Sequence, residues 1–238
     1  MLRRSIVVPL YQEQARIGGT VQRLADSPLC EVGTEFLFVD DGSSDDTVAV
    51  LERALAGSGL QARVLRLGTN QGKGAAVRTG VLAAQGSTVA FVDADLSSPP
   101  TAIEQVLRAV EEGGAQVALA SRAHPTSDIT TRQPLARETA GKTFNRLIRL
   151  LGLTTLPDTQ CGLKAFDRET AQALFAPLRT RRFAFDVEVL ARAAQQGRRI
   201  QVIPTEWAHV EESRVAPLRD GLRMAWDALR VALAVRRR

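Results

Sequence analysis

Short apolar runs alternate with amphipathic stretches along the first half of the chain. "SIVVPL" (5–10), "EFLFVDD" (35–41), "ARVLRLG" (62–68), "STVAFVDAD" (87–95) and "AQVALASR" (115–122) are bounded by turn residues and predict buried strands. Between them the pattern predicts helices: from about Gly19 to Asp26, over 44–56 with Ser44 as N-cap, over 72–86 ending at Gly86, and from Pro99 and Pro100 to about Glu112. Alternation of this kind builds a doubly wound, mostly parallel α/β sheet, whose ligands sit at the carboxyl ends of its strands.

The second half is less regular. The spacing predicts a helix over 135–152 with Ala140, Phe144, Leu147, Ile148 and Leu151 as its apolar stripe. A loop, a short strand and a helix are expected over 158–174, a helix over 185–197 and a strand over 199–207. The chain closes on an amphipathic helix whose stripe is Leu218, Leu222, Trp226, Leu229 and Leu233. These stripes predict packing on the sheet, with the arginines of the last helix left to face a surface. No repeat or linker divides the chain, so one domain is expected over residues 1–238.

Composition narrows the partners. The 238 residues carry a formal net charge of +5, and all but three of the 31 basic residues are arginine; the lysines are Lys73, Lys142 and Lys164. A basic surface suits nucleic acid, an anionic lipid or a phosphorylated substrate. Aromatics make up only 5% and do not interleave with basic residues, which disfavours nucleic acid. Cys30 and Cys161 lie far apart without a CxxC, which fits a reducing compartment and neither a disulfide framework nor a zinc site. The opening "MLRRSIVVPLYQEQ" has too short an apolar run for a signal peptide, and no run is long enough to predict a membrane span.

The candidate chemistry lies at two strand ends. Asp40 and Asp41 close the second predicted strand, and Asp93 and Asp95 the fourth, on the same edge of the sheet. In an extended chain, residues two apart point the same way, so Asp93 and Asp95 are expected to converge. Two readings of "DAD" stand: a cap for the next helix, or a grip on a hard divalent cation, Mg²⁺ or Mn²⁺. The following "LSSPP" favours the second, and such an ion, which takes one or two carboxylates plus substrate phosphates, predicts a diphosphate ligand. "TNQGKGAAVRTG" lacks the spacing of a P-loop, and no GxGxxG follows the first strand. His124 and His209, the only histidines, make no Ser/His/Asp arrangement.

"VVPLYQEQARI", "FVDDGSSDDT", "NQGKGAAVRTG" and "VDADLSSPP", with "DTQCGLKAF", "FAFDVEVL" and "EWAHVEESRV" further on, resemble family 2 glycosyltransferases of the GT-A fold, in particular the branch that acts on polyprenyl phosphates. The resemblance implies a nucleotide-sugar-binding half (1–122) and an acceptor-binding half with amphipathic helices (123–238). It implies that Pro9, Tyr11 and Glu13 line the nucleotide pocket, that Asp41 accepts from the base beside Val39, and that Lys73, Gly74 and Ala94 border the nucleotide. Asp93 would hold ribose or the metal, and Asp95 the metal and diphosphate. Ser97 stands where the mannosyl relatives carry a metal-assisting glutamine. Arg122, Arg137 and Arg214 match phosphate-binding basic residues, with Arg132 a rival to Arg137. Asp93, Asp95 and Arg122 are thus the expected catalytic set.

The activity implied is metal-dependent, inverting transfer of a hexose from a nucleoside diphosphate sugar to a polyprenyl monophosphate. "TQCG" leans toward UDP-glucose over GDP-mannose. No counterpart of the acidic "ED" base is clear; Asp158 and Asp186 are the nearest acids, and either could bind sugar hydroxyls. Basic amphipathic helices over 135–152 and 218–238 predict peripheral attachment at the cytoplasmic face of an anionic membrane. The alternatives are a soluble transferase with a saccharide or small-molecule acceptor, and a non-catalytic nucleotide-sugar-binding protein.

Overall fold

Parallel strands that are apolar on both sides need a cover on both sides. The computed structural model describes residues 2–31, 33–131, 133–210 and 217–236; the side chains of residues 136, 137, 217–222, 235 and 236 lie outside that description. Its main sheet contains β1 (Arg4–Leu10), β2 (Thr34–Asp40), β3 (Ala62–Arg66), β4 (Thr88–Val92), β5 (Val117–Ser121), β7 (Leu163–Asp167) and β8 (Ile200–Pro204). Their order is β3-β2-β1-β4-β7-β5-β8. Only β7 is antiparallel to its neighbours, pairing with both β4 and β5. Strand order reverses at β1, which lies between β2 and β4, and the crevice at such a reversal is where open α/β sheets bind ligands.

Side chains alternate across the strands and divide the core. Ile6, Val8, Phe36 and Phe38 face α1 (Ile17–Ala25), α2 (Thr47–Leu55) and α4 (Pro100–Glu111). Val7, Leu37 and Phe91 face α3 (Lys73–Ala83), α6 (Arg168–Phe175) and α7 (Phe185–Gln195). Phe91, Phe166, Phe175 and Phe185 form an aromatic cluster on that second face. A smaller core joins α5 (Leu135–Leu150), α7 and α8 (Pro217–Arg236). A two-stranded parallel ladder, β6 (Asp128–Thr131) with β9 (Glu206–Ala208), stands apart from the main sheet.

Several sequence expectations need correction. Ser44 does not cap α2, which begins at Thr47 with no side-chain cap; the Asp45 carboxylate instead accepts from the Thr47 backbone N–H at 3.1 Å. The strand expected to run to Asp95 stops at Val92. The strand expected over 199–207 is broken at Thr205, because β8 pairs with β5 while β9 pairs with β6. Trp226, Leu229 and Leu233 of α8 are 57%, 41% and 62% exposed, whereas Ala228, Val231 and Ala232 are buried. The helix thus packs through Ala228, Val231 and Ala232 and turns Trp226, Leu229 and Leu233 outward; Leu218 and Leu222 lie outside the described side chains.

Candidate active site

The loops at the carboxyl edge of the sheet are tied to one another. After β1, the Gln12 backbone N–H donates to Ser43 Oγ at 2.8 Å and that of Glu13 to Thr47 Oγ1 at 2.7 Å. This joins the "YQE" loop to the "DDGSSDDT" loop. Asp41 is buried and accepts from Asn70 Nδ2, Gln71 N and Gly72 N at 3.1, 2.8 and 2.7 Å. Burial raises its pKa, with the two backbone N–H groups pulling the other way. Its main visible task is to shape the loop that starts α3. That loop is also held from the second half of the chain: a Cβ on Gly74 would lie 2.7 Å from Phe185 Cβ and from Thr180 O, so only glycine allows the approach.

The chain turns immediately after β4. Leu96 N–H donates to Asp93 O at 3.1 Å, and Leu96 takes a φ of +46°. Leucine adopts this left-handed conformation at a cost, which the burial of its side chain offsets. Asp93 and Asp95 therefore sit on a turn, and the extended-strand argument for their convergence does not hold. Asp93 meets Lys73 instead. Lys73 Nζ lies 2.5 Å from Asp93 Oδ1, and the charge of Asp95 acts on it too. Burial works against the ammonium, but Asp93, Asp186 and Asp95 outweigh it and hold the Lys73 pKa above the ordinary value. Asp95 Oδ1 accepts from Ser97 N–H at 2.9 Å, and its other oxygen takes no partner among the described residues.

The antiparallel β7 delivers the "DTQCG" segment to the same edge, since Leu163 pairs with Val92. Asp93 N–H donates to Gly162 O at 3.1 Å. A Cβ on Gly162 would collide with the Asp93 carboxylate, which accounts for the glycine. Behind this segment, Lys164 is wholly buried. Its ammonium donates to Asp186 Oδ1 and to Cys161 O, both at 2.7 Å, and stands 5.2 Å from the Phe91 ring centre. Burial pushes the Asp186 pKa up, and Lys164 and Lys73 oppose it. Burial also pushes the Cys161 thiol up to about 11, so it stays protonated and unreactive.

Arg122 donates through Nε and Nη2 to the two oxygens of Asp158, at 2.7 and 2.9 Å, and lies 5.5 Å from the Trp207 ring centre. Burial opposes the charge on each partner, yet their attraction wins: Arg122 is held above its usual pKa and Asp158 below. Arg122, expected as a phosphate binder, is thus already engaged in part. Half of its fork serves Asp158, and Nη1 takes no partner among the described residues.

These groups open into one cleft of about 1030 Å³. Pro9, Tyr11, Glu13, Asp41, Lys73, Asp93, Ala94, Asp95, Ser97 and Arg122 all line it. Val39 does not; it is buried in the core against α3, and Gly74 is a packing glycine behind the wall. Arg137 lies in the first turn of α5 with its side chain outside the description, and Arg214 and Arg132 lie outside the described residues. Sequence reasoning missed Arg182 and Arg223, which line the cleft and take no hydrogen bond through their side chains among the described residues. The only sequence signal for Arg182 was a pair of arginines just before "FAFD". From α5 and α8 the lining includes the apolar Phe144, Leu147, Met224 and Ala225, beside the polar Thr139, Thr143 and Arg223.

No cluster of three or more His, Cys, Asp or Glu side chains suited to a metal occurs among the described residues. Two carboxylates and the Ser97 hydroxyl at one turn instead make a hard, all-oxygen donor set. It fits a divalent ion that shares its shell with water and a ligand's phosphates, not one caged by protein alone.

Comparison with known proteins agrees with this architecture. A family model for Glycosyl transferase family 2 matches residues 5–175. A dolichyl-phosphate beta-glucosyltransferase of Drosophila melanogaster is 33% identical over 240 residues, covering 95% of this chain and 73% of that protein. The one from Dictyostelium discoideum is 29% identical with the same coverage. Among solved structures, glucosyl-3-phosphoglycerate synthase from Mycobacterium tuberculosis, in complex with Mn²⁺, UDP-glucose and phosphoglyceric acid, aligns with a TM-score of 0.69 at 21% identity. That alignment covers 98% of this chain and 79% of the other, and shows a shared GT-A fold. With motif order, fold and similarity in agreement, the chain belongs to glycosyl transferase family 2 and is a glycosyltransferase.

Proposed function

We propose that this enzyme transfers glucose from UDP-glucose, with inversion, to a polyprenyl monophosphate at a membrane surface. The observation that carries the reading is the two-sided cleft. Its lining joins charged groups at the carboxyl edge of β1, β2 and β4 to apolar side chains of α5 and α8. A nucleoside diphosphate sugar suits the first and a prenyl chain the second. The named relatives support the lipid phosphate as acceptor and glucose as the sugar.

In this reading Pro9, Tyr11, Glu13 and the loop shaped by Asp41 bind the nucleotide, and Asp93, Asp95 and Ser97 hold Mg²⁺ or Mn²⁺. The ion, when bound, neutralises charge on the departing diphosphate. Lys73 and Arg182 face the same charge. The acceptor phosphate oxygen is already anionic, so it attacks the anomeric carbon without a protein base. The new C1–O bond forms as the C1–O bond to the diphosphate breaks, and the leaving group keeps the electron pair. Arg122 through its unclaimed Nη1, Arg223, and the expected Arg137 and Arg214 offset the repulsion between two anionic substrates. Residues 1–122 and 123–238 serve as donor and acceptor halves of one domain, although Arg182 and Asp186 reach the donor end from the second half. No helix is long and apolar enough to cross a membrane among the described residues. The exposed Trp226, Leu229 and Leu233 offer a face that can lie on one, beside Arg223 and Arg230.

The test is incubation with Mn²⁺ or Mg²⁺, polyprenyl phosphate and a panel of nucleotide sugars, with mass spectrometry of the lipid fraction. A hexosyl phosphate lipid formed from UDP-glucose is expected. Product only on a saccharide acceptor, or full turnover in a chelator, would overturn the reading. Asp95→Asn is expected to lower turnover by about 10³-fold or more, on the order of 4 kcal/mol of barrier, with the thermal melt unchanged.

A further inference from the structure

We infer that Lys73 is a place-holder for the divalent ion: its ammonium occupies Asp93 in the ligand-free enzyme and moves to the donor's diphosphate only when metal and nucleotide are both bound. This inference rests on the reading of Asp93 as a metal ligand.

Three features of the site support it. The ammonium already sits where a cation bound to Asp93 must come, with Nζ 2.5 Å from Oδ1. The pair is accessible from the cleft, its side chains being 19% and 35% exposed, so an incoming ion can compete for it. Lys73 also has somewhere to stay. The charge of Asp186 acts on it as well, and Asp186 is itself fixed by the buried Lys164. Losing Asp93 therefore does not leave the ammonium without a counter-charge.

The starting point of the side chain is equally fixed. Lys73 is the first residue of α3, and the glycines on either side of it pack on the backbone of residues 180–181. Gly72 N–H is held by Asp41. Only the flexible four-carbon stem is left to move, and a lysine ammonium is a point charge suited to trading one oxygen partner for another.

Charge balance then orders the binding. Lys73 with Asp93 and Asp95 leaves one negative charge at the turn. A divalent ion alone would make the turn net positive and leave the displaced ammonium with only Asp186 to answer its charge. A nucleoside diphosphate reverses that excess and gives Lys73 phosphate oxygens in exchange for Asp93. Metal should thus bind weakly alone and tightly with nucleotide, and by linkage each raises the affinity of the other by the same factor.

Calorimetric titration of Mn²⁺ with and without UDP, on wild type and Lys73→Gln, reads that factor directly. Lys73→Gln is expected to bind Mn²⁺ alone more tightly than wild type, and its coupling factor to be about tenfold smaller or less. Equal factors in the two proteins would overturn the inference and leave the metal site standing. Absence of Mn²⁺ binding to wild type even with UDP would overturn the metal site and the inference with it. A second readout needs no variant. With three lysines in the chain, trace acetylation followed by mass spectrometry can report Lys73 against the exposed Lys142. Saturating Mn²⁺ alone should speed Lys73 labelling, and Mn²⁺ with UDP should slow it below the ligand-free rate. A ratio that Mn²⁺ alone leaves unchanged counts against displacement.

Discussion

Two pairs of aspartates, one on the turn after β4 and one from the second half of the chain, are held in opposite ways. Asp158 and Asp186, from the second half, are each only 3% exposed. Asp158 accepts four hydrogen bonds from Arg122 and Gln160, and Asp186 is clasped by Lys164. Asp93 and Asp95, on the turn after β4, are only partly buried, the first paired with Lys73 and the second accepting one backbone N–H from Ser97. The residue type is the same, but the closed pair positions the protein's own chain while the open pair is free to take a ligand. The same division recurs on α8 in apolar form. Ala228, Val231 and Ala232 serve the fold, and Trp226, Leu229 and Leu233 are left outside.

The sharpest way to break this comparison is Lys164→Met. If Asp186 is a closed, internal group, removing its clasp strands a buried carboxylate and costs about 3–5 kcal/mol at neutral pH. The pH dependence has a definite sign. The Asp186 pKa in the folded protein already lies above the ordinary value because of burial, and the variant loses one of the two charges that oppose this. The penalty is therefore present above the folded-state pKa and is relieved as pH falls through it, when the protonated acid suits the buried site. Denaturant melts at pH 7 and pH 5 should show the gap between variant and wild type narrowing at the lower pH. A gap that widens would mean the pair is not what holds Asp186.

How much of this was legible in the sequence divides along the same line. The open carboxylates were readable because each is local: a strand ends, a turn follows, and the acids lie within a few residues of both. The closed ones were not. Arg122 and Asp158 are 36 positions apart, and their pairing depends on β7 entering antiparallel between β4 and β5. Nothing in the five-residue run of β7 announces that direction. Asp186 was noticed as an acid near the site, but its partner Lys164 reads in sequence as an ordinary strand residue. The α8 stripe failed for another reason. Periodicity locates an apolar face but not the side on which the core lies. Small side chains let α8 approach α5 and α7 closely, so the weaker-looking face was the buried one.

Gly162→Ala tests whether the open pair depends on the second half for its position. The new methyl group would strike the end of the Asp93 side chain, which can swing away, and the backbone of Gly162 needs no unusual conformation. Stability should therefore change by less than about 1 kcal/mol. The Asp93 carboxylate would move, and kcat/KM is expected to fall about tenfold or more, since small displacements at a reacting centre are costly. A normal rate in this variant would mean that Asp93 tolerates relocation, and the claim that "DTQCG" shapes the donor site would be wrong.

The smallest effect on the fold is expected from the exposed face of α8, and a variant on its buried face separates the two. Leu229→Ser with Leu233→Ser removes side chains that are 41% and 62% exposed, so little burial is lost and stability should move by only about 0.5 kcal/mol. Val231→Ser, two residues from Leu229, places a hydroxyl in the contact between α8 and its neighbours, where it should cost about 1–3 kcal/mol. Binding to vesicles of phosphatidylglycerol and phosphatidylcholine should show the reverse order. Each leucine drawn into the lipid boundary contributes on the order of 1.5 kcal/mol, so the double variant should lose about a hundredfold in vesicle affinity. Val231→Ser, measured below its melting temperature, should lose little. Sedimentation with vesicles at low and high salt would also divide the apolar contribution from that of Arg223 and Arg230, because only the arginines' share is screened. If both variants bind vesicles alike, the exposed stripe is not the surface that meets the lipid.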